Sequence, residues 1–344
     1  MASLVAATLI QWLALASLVM LIGSVSLDLF VLPSTTTAFD DARGSLRRWI
    51  LFAIAVLFVA TLGHLLIRTR TMSGGGLGAS ITAIPVVLTR THFGAIWIAR
   101  FAGLAAITAC LAMPATLARP LTFALAAGLG LTTSLTGHAS DRGDFSVSVL
   151  VDYAHLLAAA IWVGGLFGLA AAVFPRISGA PAPPVVSMVR RFSTLAGTTL
   201  AIVVLSGSYN AWIQTRVASA LWTTTYGRVL LVKLCLVLVI VGFGAVNRFT
   251  VLPRLAGARS SELGRKLLSR VASVGPHAVS DVLRGRLARY VAVEALLGLV
   301  VLACTAVLAE STPARHAIRT HHTQTIDDMD HETRKAAPRG QEGR

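Results

Sequence analysis

The sequence contains few charged residues and few cysteines. Only 13% of its 344 residues are Asp, Glu, Lys or Arg, whereas a soluble domain carries about 25%. Hydrophobic residues make up 55%, and no soluble globular fold of this size could bury so much apolar surface. The three cysteines, Cys110, Cys235 and Cys304, have no paired spacing. This argues against a disulfide framework and against a zinc site.

Two motifs that would indicate particular chemistry are also missing. The sequence contains no Gly-x-x-x-x-Gly-Lys-Ser/Thr phosphate-binding loop, which argues against a pump driven by its own ATPase. It also lacks the Cys-x-x-Cys-His motif that attaches c-type haem. The net charge of +15 would suggest nucleic-acid binding in a soluble protein. In a membrane protein, basic residues instead mark cytoplasmic loops, so no nucleic-acid partner is expected.

The apolar residues form runs long enough to cross a bilayer, which takes roughly 20 residues. We predict eight spans, at about 4–32, 48–67, 93–113, 120–137, 150–174, 194–213, 228–246 and 289–309. The first run is too long for a signal peptide and lacks a basic n-region, so we interpret it as a retained span. The lipid bilayer is therefore one partner of the chain.

The distribution of basic residues predicts the orientation of these spans. Sixteen Arg and Lys residues fall in the loops 1–2, 3–4, 5–6 and 7–8, and five fall in the opposite short loops. The positive-inside rule places the basic set in the cytoplasm. We therefore expect a multi-pass protein of the cell membrane with both termini extracytoplasmic. A basic cytoplasmic loop is predicted at 249–287, and a disordered, His-containing extracytoplasmic tail at 311–344.

Four markers occur in the same order in both halves of the sequence. They are Gly23 to Pro33 with Gly165 to Pro175, Arg47-Arg48-Trp49 with Arg190-Arg191-Phe192, Thr91-His92-Phe93-Gly94 with Thr224-Thr225-Tyr226-Gly227, and Ala118-Arg119 with Ala288-Arg289. A repeat of four spans keeps its orientation in the membrane. The fold class is therefore predicted to be an all-α integral membrane protein of eight transmembrane helices, built as two parallel four-helix repeats. The first repeat covers residues 1–137 and the second 138–310, and transporters place binding sites between such repeats.

Four histidines are predicted at the outer ends of spans: His64, His92, His138 and His155. Imidazole is a good ligand for copper, zinc, nickel and haem iron. Asp152 precedes His155 by three residues, so the two share a helix face. The histidines have no equivalents in the other half, which separates them from the residues that build the scaffold. The alternative is that each histidine forms hydrogen bonds at the membrane interface and nothing more.

Two acidic residues fall near the cytoplasmic ends of spans, Asp28 in span 1 and Glu294 in span 8. A carboxylate inside the membrane is costly and usually faces the helix bundle. We expect each to pair with a cation, with Arg289 or Arg248 the candidates for Glu294. Proton relay is the alternative role.

The second half resembles the copper resistance D family of bacterial membrane proteins. The resemblance covers about 136–310 and rests on Thr136-Gly137-His138-Ala139, Asp152-x-x-His155, Trp162-Val163-Gly164-Gly165, Arg191-Phe192-Ser193, Ser206-Gly207-Ser208-Tyr209-Asn210-Ala211, Leu221 to Gly227 with Lys233, Asn247-Arg248, Glu294 and Gly298. Residues 1–135 resemble the family only in their span pattern. The resemblance implies a protein of the inner or plasma membrane that handles copper. It also implies a separate periplasmic copper-binding protein as a partner.

Three functions remain in competition at this point. The first is a copper permease that has no ATPase of its own and is not an enzyme. The second is a membrane oxidoreductase with b-type haem, for which His64 and His138 are a candidate ligand pair. The third is a structural or sensing subunit with interface histidines.

The sequence predicts a copper site at the outer face made by His138, His155 and Asp152. The loop 138–149 joins neighbouring spans, so its two ends must lie close together. Asp152 and His155 then share the face of span 5 that can turn toward His138. His64 and His92 are predicted to complete this site or to form a second one.

Overall fold

The computed structural model describes residues 2–34, 37–74, 76–137, 140, 143–144, 146–177, 179–215, 217–251 and 276–311. These residues form helices and short turns, and no strand occurs among them. The predicted connection at 249–287 falls outside the described residues over 252–275, and the last helix begins at Pro276. The predicted tail falls outside them from residue 312 onward.

Five helices form the first half of the described chain. They are α1 (Ala2–Ser26), α2 (Asp40–Ser73), α3 (Leu77–Arg90), α4 (His92–Cys110) and α5 (Ala115–Ser134). The second half contains α6 (Val147–Gly168), α7 (Ala182–Thr215), the single turn α8 (Ala220–Thr223), α9 (Thr225–Val246) and α10 (Pro276–Glu310). Apart from α3 and α8, each of these helices is long and apolar enough to cross a membrane, which confirms the all-α class with eight spans.

Two features differ from the expected pattern. α2 and α7 each contain 34 residues, so both extend well beyond the apolar runs predicted at 48–67 and 194–213. Hydropathy marks only the apolar part of a helix. It therefore leaves out polar turns such as those at the start of α2. The helix α3 was not predicted, and its 14 residues reach about 21 Å, too short to span a bilayer.

The two halves repeat several local details. A π-helical turn follows α1 at Leu27–Val31 and follows α6 at Leu169–Val173, two residues before Pro33 and Pro175 respectively. Thr91 caps α4 by accepting a 3.0 Å hydrogen bond from the Gly94 amide. Thr224 caps α9 in the same way, with a 3.0 Å bond from the Gly227 amide. These matches support the predicted duplication, and the parallel relation of the whole halves stays a prediction.

The centre of the bundle is the contact between α1 and α6. A Cβ atom on Gly23 would overlap the backbone of Gly164, and one on Gly164 would overlap the carbonyl oxygen of Val19. Glycine at these positions lets the two helix backbones touch, as small residues do between membrane helices. α10 packs on both α1 and α6, and the Trp12 indole of α1 donates to the Leu299 carbonyl of α10 (3.1 Å).

The outward faces of the helices are apolar. Leu205 of α7 is 74% exposed and Leu238 of α9 is 70% exposed. Side chains of this kind at the perimeter of a bundle are suited to lipid and would be unfavourable in water. Several charged groups lie near the ends of the helices instead.

One such group is Asp28, in the π-helical turn after α1. Its Oδ1 lies 3.3 Å from Nε of Arg43, and its Oδ2 lies 2.9 Å from Nε of Arg119. The predicted pairing of Asp28 with a cation is thereby confirmed. The three residues tie the ends of α1, α2 and α5 together on the face predicted to be cytoplasmic.

Candidate metal site

The end of α6 that is predicted to face outward carries Asp152 and His155, and both side chains are partly buried. Asn210 donates from Nδ2 to Oδ1 of Asp152 (3.3 Å). Nδ1 of His155 lies 3.1 Å from Oγ of Ser206. Both α7 residues therefore orient the predicted pair, in the way that outer-shell groups orient metal ligands.

A glycine lets the imidazole lie directly on α7. A Cβ atom at position 207 would come within 3.0 Å of Cε1 of His155, so Gly207 leaves the space that the ring needs. Ser206 and Asn210 are four residues apart and share one helix face. No role was predicted for Ser206 and Asn210, because their contacts depend on how α7 packs against α6.

Lys233 of α9 lies within electrostatic range of both Asp152 and His155. The three residues thus form a cluster with a carboxylate, an imidazole and an ammonium group. An ammonium group near the pair weakens the binding of a further cation.

His138 lies outside the described residues, so its position relative to Asp152 and His155 stays a prediction. The described part of the same loop contains Asp144. Oδ2 of Asp144 lies 3.0 Å from Nε2 of His92 at the start of α4. His92 therefore lies beside the described part of the loop whose sequence contains His138.

His64 lies in a separate cavity, in the first half of the bundle. This cavity has a volume of about 350 Å³ and is lined by residues of α1, α2, α4 and α5 together with the end of α10. Nε2 of His64 is buried and has no hydrogen-bond partner among the described residues. Arg68 and Arg100 act on His64 electrostatically, which disfavours a cation there.

Arg100 is held in place by α5 and the residues after it. Its Nε donates to the Thr132 hydroxyl, and its Nη2 donates to the Thr132 carbonyl and the Thr136 hydroxyl, all at 2.9 Å. Arg100 lies six residues after Gly94, and Lys233 lies six residues after Gly227 in the other half. Lys233 lies near Asp152 and His155.

Within the ranges described, no three His, Cys, Asp or Glu residues come together as a metal site. Asp152 and His155 stand together, His92 stands with Asp144, and His64 stands apart. The predicted site of five residues is neither confirmed nor contradicted, because its central member His138 is not described.

A further cluster lies in the second half, toward the side that is predicted to face the cytoplasm. Glu294 of α10 is 3% exposed and accepts a 2.7 Å hydrogen bond from Nδ2 of Asn247. Arg248 instead donates to the Ser193 carbonyl at 2.8 Å and to its hydroxyl at 3.1 Å. The predicted pairing of Glu294 with Arg248 or Arg289 is therefore wrong, because a neutral carboxamide occupies the position expected for a cation.

The bundle is thus a polytopic membrane protein with polar clusters near both ends of its helices. A family model described as "Copper resistance protein D" matches residues 186–308. A second model, "Copper resistance protein D-like, N-terminal domain", matches residues 1–147. The chain belongs to the copper resistance D family, and its first half, in which only the span pattern pointed to the family, is covered by the second model.

Three relatives show the range of similarity. The chain is 33% identical over 213 residues to "Copper transport protein CutJ" of Bacillus subtilis, covering 58% of this chain and 39% of that protein. It is 30% identical over 204 residues to "Copper resistance protein D" of Pseudomonas syringae pv. tomato, covering 55% and 64%. It is 29% identical over 169 residues to "Inner membrane protein YebZ" of Escherichia coli, covering 48% and 57%. Each match thus spans less than two thirds of the relative, and no solved structure matches the chain.

Proposed function

We propose that this chain moves copper ions across the cell membrane, without an ATPase of its own, and takes them up at the outer end of α6. The observation that carries the proposal is the pair Asp152 and His155, held on one helix face by Asn210 and Ser206. Two relatives, a copper transport protein and a copper resistance protein, support copper as the ion.

The chemistry of the pair suits copper. Because Nδ1 of His155 contacts Ser206, we assign Nε2 to the metal, and imidazole nitrogen binds copper well. Asp152 supplies a charged oxygen ligand, and His138 from the adjoining loop supplies the third ligand. The fourth position then stays open, so a separate extracytoplasmic copper-binding protein can hand over its ion there.

The neighbouring cation favours transport over storage. A transport site has to release its ion, and the protonated form of Lys233, near Asp152 and His155, reduces the affinity for a bound cation. A permanent structural metal would be expected to have ligands with no ammonium group beside them. The haem alternative has no support from the relatives, whose functional names refer to copper.

Copper content of the purified protein tests the proposal. We expect the double variant His138→Ala with His155→Ala to lose about one copper ion per chain, since two of three ligands are removed. His277→Ala, on the predicted cytoplasmic side, is the matched control and should keep the wild-type copper content. Equal copper in the double variant and the wild type, at equal expression, would refute the site.

His64→Ala gives an independent measurement on the other cavity. Because two arginines act on His64, we expect this variant to keep its copper. A Soret band in the absorption spectrum of the wild type would favour haem and contradict the proposal.

A further inference from the structure

A second polar site lies toward the predicted inner side of the bundle, near the middle of α10. It is a cavity of about 240 Å³ between α6, α7, α9 and α10. Its walls are mostly apolar, and the charged groups among its described lining residues are Glu294 and Arg248. Arg248 is bound to Ser193 of α7.

The Glu294 carboxylate has no countercharge within the described part of the chain. No lysine, arginine or histidine nitrogen described there lies within 4 Å of it. On its own helix, Arg289 donates instead to the Gly285 carbonyl at 3.3 Å, and Arg284 donates to the Ala180 carbonyl at 2.9 Å. A buried carboxylate without a charged partner costs roughly several kcal/mol when it is ionised. We therefore expect Glu294 to carry its charge only together with a bound cation.

Asn247 adds a second acceptor to the same place. Because its Nδ2 donates to Glu294, the orientation of the carboxamide is set and its Oδ1 points elsewhere. Oδ1 is buried and has no donor among the described residues. Glu294 and Asn247 both line the cavity, and a carboxylate beside a carboxamide whose oxygen is unpartnered attracts positive charge.

The ligand types indicate which cation fits. Carboxylate and carbonyl oxygens suit protons and hard cations, whereas soft cuprous ion prefers sulfur and imidazole ligands. One carboxylate balances one positive charge. The chemistry therefore selects a small hard monovalent cation, and differs from that of Asp152 and His155 at the outer end.

We infer that Glu294 and Asn247 bind a coupling cation, a proton or a sodium ion, which is exchanged against copper. The inference rests on the proposed transport function for its role, but the binding of the cation itself does not. Gradients of such ions supply energy to membrane proteins that have no ATPase, and intramembrane carboxylates are the groups that commonly carry them. Cation release at Glu294 then accompanies the passage of one copper ion.

Infrared difference spectroscopy of the purified full-length protein tests the site directly. For a proton, raising the pH should remove the carbonyl stretching band of a protonated carboxyl group. For sodium, adding NaCl at constant pH should shift the carboxylate bands. Either signal should be absent in Glu294→Gln and retained in Glu310→Gln, the same substitution at the C-terminal end of α10. A wild-type signal that persists in Glu294→Gln, or no signal in either arm, overturns the inference.

Copper flux in proteoliposomes tests the coupling. With one-for-one exchange against cuprous ion, which carries the same single charge, a tenfold gradient of the coupling ion should sustain roughly a tenfold copper ratio across the membrane, since both correspond to 1.4 kcal/mol. One arm imposes a pH gradient without sodium, and the other imposes a sodium gradient at equal pH. Glu294→Gln should abolish the response, and Glu310→Gln should preserve it.

The outcomes separate the two proposals. Copper flux that ignores both gradients overturns the coupling site and leaves the copper function standing. If the wild type moves no copper under any gradient, the transport function fails, and the infrared signal still decides whether Glu294 binds a cation. Asn247→Leu removes the second acceptor at similar size, so it provides a second variant if Glu294→Gln does not fold. In this variant the cation concentration that gives half of the maximal infrared signal should rise at least about tenfold.

Discussion

Replacing Gly23 by alanine tests the contact on which the two halves of the bundle depend. In an open helical position, Gly→Ala stabilises a helix by about 0.5–1 kcal/mol, because alanine loses less conformational entropy. At Gly23 the added Cβ atom would overlap backbone atoms of Gly164 and Gly165. The substitution should therefore destabilise the protein instead of stabilising it.

The size of the destabilisation depends on which atoms the Cβ atom added at position 23 would contact. Overpacking in a close-packed interior costs about 1–3 kcal/mol. The atoms facing Gly23 belong to the α6 backbone, which cannot rotate away as a side chain can, so the upper end of that range applies. A cost of about 3 kcal/mol less a gain of about 1 kcal/mol from propensity leaves a net loss of about 2 kcal/mol.

Thermal unfolding in detergent micelles measures this effect. We expect the midpoint of Gly23→Ala to fall by roughly 4 °C. Gly242→Ala on α9 is the matched control, because a Cβ atom there meets nothing within 4 Å, and its midpoint should rise by about 1–2 °C. If both variants shift the midpoint equally and in the same direction, α1 and α6 do not touch at Gly23 and the packing argument is refuted.

Two further predictions concern charge. Asp28→Asn leaves Arg43 and Arg119 without their shared carboxylate, so it should lower the free energy of unfolding by about 3 kcal/mol. The control is Asp41→Asn, on the exposed first turn of α2. It should change the free energy of unfolding by less than about 0.5 kcal/mol. Reporter fusions at the C-terminus should be active only for an enzyme that works outside the cytoplasm, given the charge asymmetry of the loops. Activity of a cytoplasm-only reporter there would reverse the orientation, and with it the outer placement of Asp152 and His155.

Hydropathy was sufficient to predict the eight spans, because a bilayer imposes both length and composition on a helix. It could not predict how far α2 and α7 continue beyond the apolar region, since polar helical turns outside the membrane leave no apolar run. It also missed α3, a short helix of 14 residues that includes Pro85. Its length and proline both lie outside the criteria for a span.

The candidate site was predicted in part. The spacing of Asp152 and His155 places them on one face of a helix from sequence alone. Their partners Asn210 and Ser206 depend on how α7 packs against α6, and such tertiary contacts leave no local signal. For Glu294 the expectation of an arginine partner was wrong, because the nearest arginines find carbonyl oxygens instead.

The contact between α1 and α6 bears on the predicted duplication. Aligning Gly23–Pro33 with Gly165–Pro175 makes Gly23 and Gly165 equivalent, and a Cβ atom on Gly23 would meet Gly164 and the amide nitrogen of Gly165. Equivalent residues meet each other where a two-fold axis passes between two copies. The observed contact is therefore of the kind expected if an axis along the membrane normal relates residues 1–137 to 138–310.

The duplication makes a prediction about a divided chain. Each half then contains its own four-helix unit, and the contact across the axis joins the two. Expressed as separate chains cut in the loop between α5 and α6, the halves should assemble in the membrane and purify together. Gly23→Val in the first half should prevent this, because its side chain fills the space at the axis, whereas Gly128→Val, which faces open space, should not. Halves that fail to purify together, or that assemble equally well with Gly23→Val, would contradict an axis at this contact.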